Sequence, residues 1–407
     1  MQRRTVLRTF AVMSVLAVIA GACSSNSSSS PGSSSAPVEK IPVTIYGQGA
    51  WTGPANYLIL PSMQGAQLRY DELNADPSYP ATITFKQADT QGSPDNAPPV
   101  VQEIVGDAQT VAVEGPGFSG ESEASGDTFE QAAIPFVTPS ATNPGLAQHG
   151  WTYWYRGVAN DNDQGVPIAR YLTEILGLNK IYVTHDKSTY GQGLAEVVRD
   201  TLKSSGADVL GFQGIESGAE DFSALISTLQ AANPEAVFFG GYDFDFGKIV
   251  KQARDAGLDV PMMSGDGSVS STLVDLAGAG LTNVFLTCPC NLSGSFVDTY
   301  NAKYGGDASS VPVYVGEGYD VATLLGEGIK QAIDGGATTP EEIRLGIKAY
   351  LDTLTTDNPF TGVAKDYAFD PATHDIAASD RLALVYFYKG DQGALTTIGD
   401  ASTVLGG

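Results

Sequence analysis

Hydrophobic and polar positions along the chain switch repeatedly between two periods. Short apolar, β-branched runs at 43–46, 82–87, 111–114, 181–184, 236–239 and 284–287 read as strands. Between them, apolar residues recur every three or four positions. In 193–204, Leu194, Val197, Val198 and Leu202 share one helical face. Phe222, Leu225, Ile226 and Leu229 do the same in 221–231, and 63–74 follows the same logic. Gly206, Gly257 and Gly335 stand where helices should stop. Such regular strand–helix alternation predicts parallel sheets flanked by helices. Ligands of these sheets bind in crevices beyond the carboxyl ends of strands, so two lobes facing each other would share one cleft.

The first forty residues break this pattern. Arg3, Arg4 and Arg8 precede an uncharged stretch, 10–22, that contains Val12, Met13, Val15, Leu16, Val18 and Ile19. Its 13 residues fall short of the roughly 20 needed to span a bilayer, so 1–22 reads as a secretion signal. The run Ile19-Ala20-Gly21-Ala22-Cys23 resembles a lipobox with Ala20 where leucine is usual, which implies lipidation of Cys23. A plain cleavage site with an incidental cysteine is the alternative. Arg3-Arg4-Thr5-Val6-Leu7-Arg8 resembles a twin-arginine signal, and the general secretory route fits as well. Residues 24–36 are almost all serine and have nothing to bury. Residues 23–40 therefore read as a lipidated cysteine and a flexible tether, its 17 residues from 24 to 40 spanning about 20–25 Å.

Composition narrows the partners. Loss of 1–22 takes three arginines and no acid, so the net charge moves from −24 to −27. A body this acidic repels nucleic acid and anionic lipid. About 365 residues remain to fold, more than one core comfortably serves, so two lobes are expected. Beyond Cys23 the only cysteines are Cys288 and Cys290, in Thr287-Cys288-Pro289-Cys290. They either close a small ring in an oxidising compartment or stay as free or buried thiols. No further Cys or His stands close enough in sequence to complete a zinc site, so no metal is expected.

Catalytic signals are poor. His149, His185 and His374 are the only histidines, and His185, in a strand-to-helix loop, reads as structural or as part of a cleft rim. Gly117-Phe118-Ser119-Gly120 lacks the spacing of a nucleophile elbow. Asp161-Asn162-Asp163-Gln164-Gly165 hints at a calcium loop, but Leu172 stands where the bidentate Glu belongs; a solvated turn or helix start is the better reading. Two loops suit binding instead. Gly115-Pro116-Gly117-Phe118-Ser119-Gly120 leaves a strand to open a helix, and its hydroxyl and free N–H groups suit a carboxylate. Small hydroxylated residues also follow the next strand, in 135–143.

At these loops the chain resembles the type I periplasmic binding proteins of branched-chain amino acid importers, from about Ile41 to a final strand at 382–388. The likeness is carried by Thr138-Pro139-Ser140-Ala141-Thr142-Asn143-Pro144, by 185–193 (His185-Asp186-Lys187 through Tyr190-Gly191), by Glu220-Asp221-Phe222-Ser223, by Phe239-Gly240-Gly241-Tyr242 and by Gly265-Asp266-Gly267. It implies a ligand site. Ser119 would bind the α-carboxylate with help from Thr142. Ser140 and Ala141 lie where the family offers mainly backbone groups. Asp266, where glutamate is usual, would pair with the α-ammonium. Tyr190 and Tyr242 would close over the ligand from the second lobe, with Tyr314 in the side-chain pocket. Phe118 replaces a cysteine that some members tie in a disulfide, and Leu58 sits near an aromatic position.

The resemblance also implies an α/β fold of two Rossmann-like parallel-sheet lobes joined by a three-segment hinge, in the manner of a Venus flytrap. The lobes would be 41–159 plus 289–370 and 160–288 plus 371–407, with crossings near 158–160, 287–290 and Pro371. It implies a receptor that delivers a small aliphatic amino acid to an ABC permease and its ATPase. The protein would act as a monomer, lipid-anchored at the outer face of the cytoplasmic membrane, with no cofactor, no catalysis and no nucleic acid. A sensor module for a signalling partner, or a receptor for an amide or aromatic acid, are the alternatives on the same fold.

Overall fold

Two sheets organise the chain in the computed structural model, which describes residues 40–291, 294–305, 312–391 and 393–406. The segments expected to be signal and tether, with Cys23, lie outside the described residues. The first sheet is parallel, in the order β2-β1-β3-β4-β5. Its strands are β1 (Ile41–Gly49), β2 (Ala81–Asp89), β3 (Thr110–Glu114), β4 (Phe136–Thr138) and β5 (Trp154–Arg156). Three helices connect them: α1 (Asn56–Ala75), α2 (Ala97–Gly106) and α3 (Ser119–Gln131). The second sheet opens with β6 (Lys180–His185), β7 (Asp208–Gly214), β8 (Ala236–Gly240), β9 (Met262–Ser264) and β10 (Val284–Cys288). Its helices are α4 (Asp161–Arg170), α5 (Thr189–Ser204), α6 (Ser223–Ala232), α7 (Asp243–Asp255) and α8 (Ser271–Ala277). Every residue of β3, β8 and β10 is buried. These strands read as continuous apolar runs because helices cover both faces of a parallel sheet.

The chain then returns to the first sheet through α9 (Ser295–Tyr304), α10 (Val315–Asp334) and α11 (Pro340–Asp352). Helix α10 packs along α1, and Arg344 of α11 donates from Nε to the Thr110 carbonyl of β3 at 2.8 Å. A two-stranded ribbon follows, β11 (Phe360–Thr361) with β12 (Asp366–Tyr367). Antiparallel β13 (Tyr386–Asp391) and β14 (Ala394–Asp400) then extend the second sheet in the order β14-β13-β10-β9-β8-β6-β7, and α12 (Ala401–Val404) closes the description. The chain thus passes between the sheets three times, in the two-lobed α/β arrangement expected.

Local chemistry explains where the elements depart from the periodicity. Helix α5 begins at Thr189, four residues earlier than the apolar face suggests, because the Ser188 hydroxyl accepts the Gly191 N–H at 2.8 Å. Helix α1 begins at Asn56 and runs through Pro61, whose missing N–H costs only the bond to the Tyr57 carbonyl. Gly206 and Gly257 end their helices at φ +86° and +78°. Gly335 instead stays right-handed at φ −78°, and Gly336 takes the left-handed turn at +100°.

The crossings are tied by polar contacts. The buried Arg156 side chain reaches Asp375 Oδ1 from Nε at 2.6 Å and donates from Nη1 to the Ala141 and Asn143 carbonyls. Asn160 Nδ2 donates to Asp375 Oδ2 at 2.9 Å, so the first and third crossings share one carboxylate. At the second, Cys288 and Cys290 form a disulfide, and the buried Lys365–Glu317 pair (2.8 Å) stands beside Pro289.

Contact between α1 and α10 depends on two glycines. A Cβ on Gly318 would lie 2.0 Å from the Ser62 carbonyl oxygen, and one on Gly65 2.2 Å from that of Val315. Backbone cannot rotate out of the way, so Gly318→Ala is expected to cost about 1–3 kcal/mol in urea unfolding. An unchanged midpoint would contradict this packing.

Candidate ligand site between the lobes

The carboxyl ends of β3, β4, β6, β8 and β9 converge on one cleft, and each leads into a loop that carries polar groups. The loop after β9 bears Asp266, 2% exposed. Its Oδ1 accepts from Tyr190 OH at 2.8 Å and Gln164 Nε2 at 2.9 Å, and its Oδ2 from Tyr314 OH at 2.7 Å. The flanking glycines permit this. A Cβ on Gly265 would stand 2.7 Å from the Tyr190 hydroxyl, and one on Gly267 2.6 Å from the Tyr190 ring. Tyr190 OH also accepts the Gly267 N–H at 3.0 Å. Burial pushes the Asp266 carboxyl up to about 6, against the pull of the Tyr314 and Tyr190 hydroxyls. Tyr314, at φ +58° just before α10, reaches this acid from the other lobe.

Asp161 is the residue that the sequence reading missed. It opens α4, and a capping box between Asn160 and Asp163 fixes that helix start. Asp161 is fully buried, and neither oxygen meets hydrogen-bond geometry with a protein partner. Burial first, then the negative charge of Asp266, drives its carboxyl well above the usual range; the adjacent Thr142 hydroxyl draws it back. The salt bridges of this region go elsewhere, Arg156 to Asp375 and Arg381 to Asp163, although the Arg156 charge also draws the Asp161 carboxyl back. The run 161–165 is indeed a helix start, but the inward side of its first turn carries Asp161 and Gln164. Both facts lay within the acidic run that composition alone marks as solvated.

Hydroxyl and N–H donors lie beside these acids. Ser119 opens α3 and is buried; its Oγ accepts the Asn143 N–H at 3.2 Å, which leaves the hydroxyl proton to give. Its own N–H is among the first-turn donors that lack an intrahelical acceptor. The buried Thr142 hydroxyl has no partner in hydrogen-bond geometry. Ser140 turns its hydroxyl to the Gly117 carbonyl at 2.7 Å. Ala141 is committed within its lobe: its N–H goes to Thr138 Oγ1 at 2.9 Å, its carbonyl accepts from Arg156, and it belongs to a buried apolar cluster with Phe136 and Trp154. Ser119, Thr142, Tyr190, Tyr314 and Asp266 therefore contribute side chains to the cleft, whereas Ser140 and Ala141 shape it.

Aromatic groups line the way out. The Tyr242 ring lies 5.3 Å from that of Tyr190 and 5.8 Å edge-on from that of Phe118 in the other lobe. Leu58 is buried in the core, and its neighbour Tyr57 faces the cleft, its hydroxyl donating to the Gly267 carbonyl across the lobes. Asn143 Nδ2 adds a second bridge, to the Thr189 carbonyl at 2.6 Å. His185 is structural: its Nδ1 accepts the Lys187 N–H at 3.1 Å, and its ring packs on Phe212. Among the described residues, no group of three or more His, Cys, Asp or Glu side chains is placed to hold a metal ion.

A cleft between two parallel-sheet lobes, lined by buried acids and hydroxyls, defines a small-molecule receptor. Residues 43–393 match the family model described as periplasmic binding protein, and the chain belongs to that family of binding proteins, which are not enzymes. The Leu/Ile/Val-binding protein of Escherichia coli (strain K12) is 31% identical over 78% of this chain and 85% of its own length. The leucine-, isoleucine-, valine-, threonine-, and alanine-binding protein of Pseudomonas aeruginosa is 29% identical over 76% of this chain and 83% of its own. Among solved structures, the branched-chain amino acid transporter substrate binding protein of Streptococcus pneumoniae, in complex with isoleucine, is 26% identical with a TM-score of 0.74. It covers 88% of this chain and 99% of itself.

The buried acids give the ligand-free protein a pH signature. Burial raises Asp186, Asp243, Asp266 and Asp320 to about 6 each. Each holds its proton more tightly folded than unfolded, so each favours the fold fully below about pH 4 and ceases to as pH rises through 6. The midpoint of thermal unfolding of Asp266→Asn should therefore change less between pH 5 and pH 7 than that of the wild type. Equal slopes would contradict the burial assigned to Asp266.

Proposed function

We propose that this protein is the extracytoplasmic receptor of an ATP-driven importer and captures a small amino acid, branched-chain or otherwise aliphatic, between its lobes. The observation that carries the reading is the pair Asp161 and Asp266. Among the described residues neither forms a salt bridge with Lys or Arg, and both are buried near hydroxyl and N–H donors. Buried charge without a counter-ion is costly, and an α-ammonium supplies the missing cation. The α-carboxylate is taken by Ser119, by Thr142 and by the amino end of α3, whose dipole favours an anion. Tyr190, Tyr242 and Tyr57 exclude water, which strengthens both contacts.

Relatives named for leucine, isoleucine and valine, and the isoleucine complex of the Streptococcus protein, support an aliphatic side chain. No chemistry is done on the solute. Residues 41–159 with 289–370 and 160–288 with 371–407 move as lobes about the three crossings. Closure shifts the population toward a form that the permease recognises. The receptor works as a monomer, tethered through lipid on Cys23 and the serine-rich segment.

Titration calorimetry over the L-amino acids should find binding, and Asp266→Ala or Ser119→Ala should weaken it by about 2–5 kcal/mol, roughly thirtyfold or more. Failure of every aliphatic, polar and aromatic amino acid to bind would overturn the assignment. Mass spectrometry of the mature N-terminus should find an acylated Cys23; an unmodified residue there would remove the anchor.

A further inference from the structure

Asp161 is not alone at the start of α4 in lacking a partner. Gln164, one turn on and on the same face of that helix, is fully buried. Its Nε2 donates to Asp266 Oδ1 at 2.9 Å and to the Thr287 carbonyl at 3.2 Å. A backbone carbonyl can only accept, so the amide cannot turn over and exchange its nitrogen for its oxygen. Its Oε1 is therefore a fixed acceptor, and it is buried with no partner in hydrogen-bond geometry.

The place of this oxygen gives it a use. Gln164 is bonded to one acid of the cleft, Asp266, and shares the first turn of α4 with the other, Asp161. Both Asp161 oxygens lack a partner in hydrogen-bond geometry. Asp266 Oδ2 takes a bond from Tyr314 and has a second lone pair. The Thr287 hydroxyl is likewise buried without a partner, so it does not serve Oε1 in this geometry. An amide oxygen kept from water and left unpaired bears its full desolvation cost. A primary ammonium carries three N–H groups, and these three side chains offer one acceptor each.

We infer that Gln164 Oε1 is the third acceptor of the ligand's α-ammonium, beside Asp161 and Asp266, and that the site thereby selects a primary over an N-alkylated amine. This rests on the amino-acid reading of the head group and deepens it, to amino acids whose amino group is unsubstituted. The two carboxylates respond to charge, which a secondary ammonium carries equally well. A neutral acceptor held in one orientation responds instead to the number of N–H groups. An N-methyl group in that position would bury Oε1 against carbon and leave it unsatisfied.

The test is titration calorimetry on the whole mature protein, with leucine, valine and alanine each against its N-methyl derivative. In the wild type the parent amino acid should bind about tenfold or more tighter than its derivative, the cost of one unpaired buried acceptor. Gln164→Ala removes the amide and leaves room for a methyl group. It should weaken the parent and bring the ratio of parent to derivative to about one. Loss of support for Asp266 alone would weaken both ligands alike, so an unchanged ratio in the variant overturns the role of Gln164. Equal binding of parent and derivative by the wild type overturns the inference and leaves the head-group assignment standing. Binding of none of the six overturns the amino-acid reading and this inference with it. Gln164→Met, which keeps the length without the carbonyl, should give the same loss of discrimination and decides the matter where the alanine variant fails to fold.

Discussion

Two carboxylates withdrawn from water and without a salt bridge set the terms for this cleft. Burying ionised groups is tolerated where partners compensate, and Asp266 receives three donors while Asp161 receives none in good geometry. That imbalance is what a receptor for an ammonium-bearing solute needs: enough support to hold the acid in place, too little to satisfy it. The donors also join the lobes. Tyr190 and Gln164 come from the side of the second sheet, whereas Tyr314 heads the helix that packs on α1. The Asp266 carboxylate thus helps to draw the lobes together through its donors.

Other contacts depend on the same geometry. Glycines at 265 and 267 allow the Tyr190 ring to lie over the acid, so that the aromatic wall and the charge occupy adjacent layers. Phe118 meets Tyr242 across the lobes, and Tyr57 and Asn143 add hydrogen bonds to the facing backbone. At the crossings, Arg156 takes the Asp375 carboxylate and two carbonyls, and it forms no salt bridge with Asp161. The fold supplies the cleft; the distribution of a few charges decides what it can hold.

Much of this was legible in the chain. The strand runs, the helix faces and the order of the five family motifs define the two-lobed architecture, and Tyr190, Asp266, Ser119 and Thr142 follow closely on strands, Ser119 and Tyr190 in the first turns of helices. Three features were hidden for physical reasons. Asp161 sits in a polar run that looks solvated, and only the burial of the first turn of α4 turns it inward. Tyr57 and Leu58 are adjacent on one helix, and the rotation that selects which of them faces the cleft is set by packing of α1 on α10. The Ser140 hydroxyl bonds to Gly117, and Ala141 bonds to Thr138 and Arg156, a matter of tertiary contact that no local pattern reports.

The central claim is that the buried acid pair is a receptor for an ammonium group. Its most direct test compares an amino acid with the same molecule lacking the amino group, leucine against 4-methylpentanoate, by titration calorimetry at neutral pH. The account predicts measurable heat and saturation for leucine and none for the deaminated acid at the same concentrations. Equal binding of the two, or binding of the deaminated acid alone, would contradict it.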